Sequence, residues 1–154
     1  MVVVKRSLAF GFLIVCCLSC SPYAALRKKE FRFNVNNQPQ ILRIKVPKRY
    51  AKQGTITDSA NAQQQYYRYS NGAELYVIYT TDTLRQFQPI DTANNVPKPH
   101  AFGGVMYKGL DSTDRFWREV RTDSFRVGYR FVPRGVEVLF DSAVNYAAAR
   151  RFKK

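Results

Sequence analysis

The cysteines of this chain, Cys16, Cys17 and Cys20, all fall in one short stretch, LIVCCLSCSPY at residues 13–23, and none follows before Lys154. The residues ahead of them decide what chemistry they can do. Lys5 and Arg6 make a positive start, Leu8 to Leu18 is uncharged and apolar, and Ser19 is small. That is the layout of a secretory signal peptide. The apolar run is shorter than the roughly 20 residues a permanent membrane span needs. Residues 1–19 are therefore read as a cleaved leader. Cleavage removes Cys16 and Cys17 and leaves Cys20 with no disulfide partner, an odd thiol that calls for another use.

The apolar run followed by Leu18-Ser19-Cys20-Ser21 resembles the lipobox of bacterial lipoproteins, with Cys17 at the place where that class favours leucine. The resemblance covers residues 1–21. It implies that the Cys20 thiol carries a diacylglyceride, that the chain is cut just before it, and that the new amino group takes a further acyl chain. Each buried methylene contributes about 0.8 kcal/mol, so one chain anchors weakly whereas two or three hold stably. The expected location is then the cell envelope, membrane-anchored by lipid on the exported side. Ordinary secretory cleavage near Ser19 or Ala25 would instead leave a soluble exported protein.

Other chemistry is sparse. The single histidine, His100, lies in KPHAFGG. Zinc needs three or four Cys, His or carboxylate ligands, and His100 has no such neighbours in sequence. No G-x-S-x-G elbow is present, so a Ser-His-Asp arrangement would have to be assembled from scattered residues. Glu74, Glu119, Asp111 and Asp114 are candidates for paired acid–base work of the glycosidase kind. Asp111-Ser112-Thr113-Asp114 lacks the alternating acids, glycine and distant glutamate of a calcium loop, and reads better as a turn into the next strand. Gly103-Gly104 and Lys108-Gly109 do not complete a phosphate-binding loop. No cofactor and no metal is expected, and a non-enzymatic binding or assembly module is the leading expectation. An envelope hydrolase using the 82–102 loop with His100, or a lipid or lipopolysaccharide carrier with an apolar cavity beneath its helix, are the alternatives.

The chain carries 25 basic and 11 acidic residues, and only Lys5 and Arg6 leave with the leader. Nucleic acid is the usual partner of so basic a chain, but an exported lipoprotein is not expected to meet it. Anionic lipid and acidic envelope polymers are the expected partners, beside the membrane that holds Cys20. Each Lys or Arg near an anionic surface gains about 1 kcal/mol. The alternative is that the charge only keeps the domain soluble. The binding candidates are Arg27, Lys28 and Lys29, which follow Cys20, together with His100 and Phe102. The sequence names no protein partner.

Residues 20–30 read as a lipidated tether and residues 31–154 as one domain. In FRFNV, Phe31, Phe33 and Val35 alternate with Arg32 and Asn34; in ILRIKV, Leu42, Ile44 and Val46 alternate with Arg43 and Lys45. With NNQPQ between them, these runs predict a hairpin. Residues 48–63 look polar and irregular. Asn71-Gly72 predicts a two-residue type I′ turn, pairing Tyr67 with Tyr76 and Arg68 with Leu75. Residues 82–102 form a long proline-bearing loop with a possible short helix at Thr83 to Phe87. GGVMYKGL reads as a strand. A turn at Thr122-Asp123 would set Glu119 against Arg126, Phe116 against Tyr129 and Trp117 against Gly128. After Pro133, Val136, Leu139, Phe140, Ala143, Val144 and Ala147 share a helical face, predicting a helix over 135–151. The expected fold is α+β: an antiparallel sheet of six or seven strands with the C-terminal helix packed across one face. The order of elements from YKGLDSTDRFW to FDSAVNYAAARR is similar to small bacterial envelope lipoproteins, a likeness that implies no activity.

Overall fold

The computed structural model describes residues 25–35, 38–57, 62–79, 96–101, 103–122 and 124–152. Its strands are β1 Leu26–Val35, β2 Gln38–Pro47, β3 Tyr50–Thr57, β4 Gln63–Tyr69, β5 Glu74–Tyr79, β6 Lys98–Pro99, β7 Val105–Leu110, β8 Phe116–Arg121 and β9 Phe125–Val132; one helix, α1 Glu137–Phe152, follows. Strands β3 to β9 form one seven-stranded antiparallel sheet in the order β3-β4-β5-β9-β8-β7-β6, and β1 pairs with β2 in a separate two-stranded ribbon. The predicted α+β fold with its C-terminal helix on the sheet is the observed one.

The covering layer has two parts. Alternation in β1 and β2 buries Phe31, Phe33, Leu42, Ile44 and Val46, and this face presses on the sheet. Phe31 stacks edge-on against Tyr67 with ring centres 5.4 Å apart, and Phe33 against Phe125 at 5.7 Å. Beside the ribbon lies α1, burying Phe140, Ala143, Val144, Ala147 and Ala148. Phe140 meets Tyr69 and Tyr129 edge-on at 5.1 and 5.7 Å. These rings pack between the helix and the sheet. Aromatic pairs in such geometry contribute about 0.5–1.5 kcal/mol each beyond their burial.

Several local expectations need correction. The expected tether is shorter than residues 20–30, because β1 begins at Leu26, which is buried and pairs across from Pro47. Residues 50–57 are an edge strand rather than an irregular segment. Their pattern of exposure has no clean alternation because only one neighbour, β4, holds them. At the first sheet hairpin the loop is Ser70-Asn71-Gly72: Tyr69 N–H donates to the Ala73 carbonyl at 2.9 Å, and of the two central residues only Gly72 takes positive φ, 83°. This three-residue loop, a type I turn closed by a left-handed glycine, sets Tyr67 against Leu75 and Tyr66 against Tyr76.

The β8–β9 hairpin is also shifted. Thr122 N–H donates to the Phe125 carbonyl at 2.9 Å, and the Thr122 hydroxyl donates to the same carbonyl and accepts from the Phe125 amide, so the hairpin closes between Thr122 and Phe125. Glu119 then faces Gly128 and Arg121 faces Arg126. Trp117 covers Gly109 of β7, where an added Cβ would come within 3.0 Å of the indole. The expected Thr83–Phe87 helix lies outside the described residues.

Candidate functional site

Where the ribbon meets α1, Lys28, Lys29, Glu30, Arg43, Ile44 and Tyr146 line an open groove of about 470 Å³. The ribbon's register assembles it. Lys28 stands across from Lys45 and Glu30 from Arg43, so one face of the ribbon presents three cations and a carboxylate, while Lys29, across from Ile44, lies on the inward face. Glu30 accepts from Arg43 Nε at 2.8 Å and from Arg32 Nη2 at 3.1 Å. These hydrogen bonds, that of Arg43 first, hold the Glu30 carboxyl below its ordinary range. Both arginine side chains are largely in water, with 77% and 73% exposure for Arg43 and Arg32, so the pairs add little stability and remain open to exchange.

Lys29 is fixed differently. Its ammonium donates to Tyr50 Oη at 2.7 Å and lies 5.0 Å from the centre of that ring. Lys45 sits 4.9 Å over the ring of Tyr146, which ties β2 to the helix. Lys28 is exposed. The groove therefore holds more positive than negative charge, with an aromatic and an aliphatic wall. Its cationic lining can attract an anion.

Two of the predicted binding residues, Lys28 and Lys29, line this groove. Arg27 is exposed on β1 across from Val46 and does not line it. Cys20 and Phe102 lie outside the described residues. Arg43, Ile44 and Tyr146 were not anticipated. The outward alternation of Arg43 and Lys45 in ILRIKV, combined with the hairpin, carried a signal for the β2 side. Nothing local to Tyr146 did, since its place depends on how the helix docks.

His100 joins a different cluster, at the far side of the helix. Arg118, almost fully buried, donates from Nη1 to Asp141 Oδ1 and from Nη2 to Asn145 Oδ1, both at 2.7 Å. Tyr129 Oη donates to Asp141 Oδ1 at 2.9 Å. His100 Nε2 stands 3.3 Å from Asn145 Oδ1 and 3.4 Å from Arg118 Nη2. Among the described residues these contacts join His100 to an amide and a guanidinium. The cluster clasps the end of the 82–102 segment to β8 and α1, which is a structural task.

Burial first, and then the Arg118 charge, lower the His100 pKa against the opposing pull of Asn145. The native protein thus binds this proton less readily than the unfolded chain does. Stability is complete above the ordinary histidine value near 6.5 and is lost as pH falls through the folded-state value. Melts of wild type and His100→Gln between pH 7.5 and 5 should show a shallower acid decline in the variant; identical slopes would contradict the clasp.

The face of the sheet opposite the helix carries a buried polar seam. Glu74 accepts from Arg68 Nη2 at 2.9 Å and from Arg130, and Tyr76 Oη donates to Glu119 Oε2 at 2.8 Å, where Arg121 also binds. Glu74 and Glu119, two of the four acids considered for paired catalysis, are thus held in arginine contacts. Asp111 caps its own turn, accepting from the Thr113 and Arg115 amides at 2.8 and 3.1 Å, and Asp114 pairs with Arg134 at 2.7 Å. Among the described residues no group of three or more His, Cys, Asp or Glu is placed to hold a metal, and no helix is long and apolar enough to cross a membrane. Comparison of the chain with protein-family models, curated proteins and solved structures finds no match.

Proposed function

We propose that this protein is a lipid-anchored, non-enzymatic module of the cell envelope. Acyl chains on Cys20 would hold it on the exported side of a membrane, and the ribbon–helix groove would engage anionic groups there. The observation that carries the reading is the start of β1 at Leu26. Six residue steps separate it from Cys20, a span of at most about 22 Å at 3.3–3.6 Å per residue. A thiol lipidated at Cys20 would therefore hold the basic ribbon close to the bilayer surface, where each cation gains about 1 kcal/mol from anionic lipid.

The test is to feed radiolabelled palmitate to cells expressing wild type or Cys20→Ser and to fractionate them. Wild type should carry label and sediment with membranes, and Cys20→Ser should lose the label and most of its membrane association. Equal labelling and fractionation of the two proteins would refute the anchor.

A further inference from the structure

The geometry points to the ribbon–helix groove as a site for the phosphate headgroup of an anionic membrane lipid. The groove's volume, about 470 Å³, lies within the range of small-molecule sites, about 300–1,000 Å³. It accommodates a headgroup but not a whole lipid, whose tails would stay in the bilayer. Its charge selects the ligand: Lys28, Lys29 and Arg43 against Glu30 alone. Arg43 offers a planar donor fork suited to phosphate, and Lys28 a mobile point charge beside it.

The partners those cations already have do not forbid this. Glu30 holds Arg43 through one oxygen and Arg32 through the other, so Arg43 can turn donors toward a phosphate while Glu30 keeps Arg32. Tyr146 supplies the wall against which a glycerol backbone would rest. Lys45, over the Tyr146 ring, adds positive charge at the rim. The assignment rests on the lipid anchor proposed above only for its source, a headgroup in the same membrane; the groove and its charge stand independently.

The test uses the full-length protein isolated in dodecyl maltoside micelles and titrated calorimetrically with dihexanoyl phosphatidylglycerol, dihexanoyl phosphatidylcholine or glycerol phosphate. Binding of phosphatidylglycerol and not of phosphatidylcholine is expected. The Lys28→Gln/Arg43→Gln variant should bind it about twenty-five-fold more weakly, about five-fold for each cation at about 1 kcal/mol apiece. Both side chains are exposed, and an unchanged circular-dichroism melt will show that the fold is kept. The control Lys108→Gln/Arg134→Gln, with equal charge loss elsewhere, should bind as wild type does. Equal weakening by both variants would overturn the site in favour of diffuse attraction, as would equal binding of the two lipids. Glycerol phosphate binding as tightly as the lipid would overturn the membrane source. The mass at residue 20 of the same preparation separates the two readings. An acylated Cys20 with no lipid discrimination removes the site alone; a bare Cys20 with discrimination intact removes the anchor alone.

Discussion

Glu74→Ala is expected to cost about 3–5 kcal/mol, because it strands a buried arginine. Glu74 is 1% exposed and Arg130 8%, and the carboxylate is the group that Arg130 Nη2 and Arg68 both meet. Among the described residues Arg130 Nε has no hydrogen-bond partner, so removing Glu74 leaves the guanidinium with fewer polar contacts still. For a domain whose whole stability is about 5–15 kcal/mol, the melting temperature should fall by roughly 10–20 °C. Glu74→Leu combined with Arg130→Met should recover most of that loss, since replacing both partners of a buried pair by apolar groups is often neutral. A single variant melting within about 1 kcal/mol of wild type, by the same measure, would show that the seam is wet and that the arginine has no need of its acid.

Phe140→Ala should be of similar size, about 3–5 kcal/mol, through the cavity it leaves. The ring is 3% exposed and packs edge-on against Tyr69 on β4 and Tyr129 on β9. The loss should be concentrated at the helix. Hydrogen exchange should accelerate across residues 139–148 more than in β5 or β9, because the sheet keeps its own ladder. The helix also carries Tyr146 of the groove and Asp141 and Asn145 of the clasp, so both should loosen together. Uniform acceleration through the sheet would mean that helix and sheet unfold as one unit.

The parts of this fold that were legible in the sequence are those where one face is apolar and the other is not. FRFNV and ILRIKV alternate cleanly, and their buried residues are the ones the pattern names. The helix was legible because Phe140, Ala143, Val144 and Ala147 recur at its period, and Val136, which shares that spacing, stays exposed because it precedes the first turn. Register was harder to read. β5 is buried on both faces through Ile78, so a slip of one residue still puts large side chains on each side, and the pattern does not choose. Asn71-Gly72 suggested two positive φ angles; the Asn71 side chain instead accepts from the Ala73 amide at 3.1 Å, which stabilises a longer loop. In the β8–β9 hairpin the attractive pairing of Glu119 with Arg126 yields to Arg121, two residues along the same strand, and to Tyr76, which only the assembled sheet brings near Glu119.

The candidate groove was half legible for the same reason. Lys28 and Lys29 stand out as a basic run close to Cys20, and the hairpin places Arg43 beside Glu30. The docking of α1 that brings Tyr146 to them is a tertiary event with no local signal. The edge strand β3 escaped notice because Lys52, Gln53, Gly54 and Thr55 show no period, and its shape is imposed by pairing with β4.

The measurement that bears most directly on this account is intact-mass and peptide mass spectrometry of the mature protein purified from membranes. The account predicts a polypeptide beginning at residue 20, with the leader gone and the mass of diacylglyceride on the Cys20 sulfur. A mature chain with a free thiol at residue 20, or one cut beyond it, would contradict the anchor on which the proposed function depends.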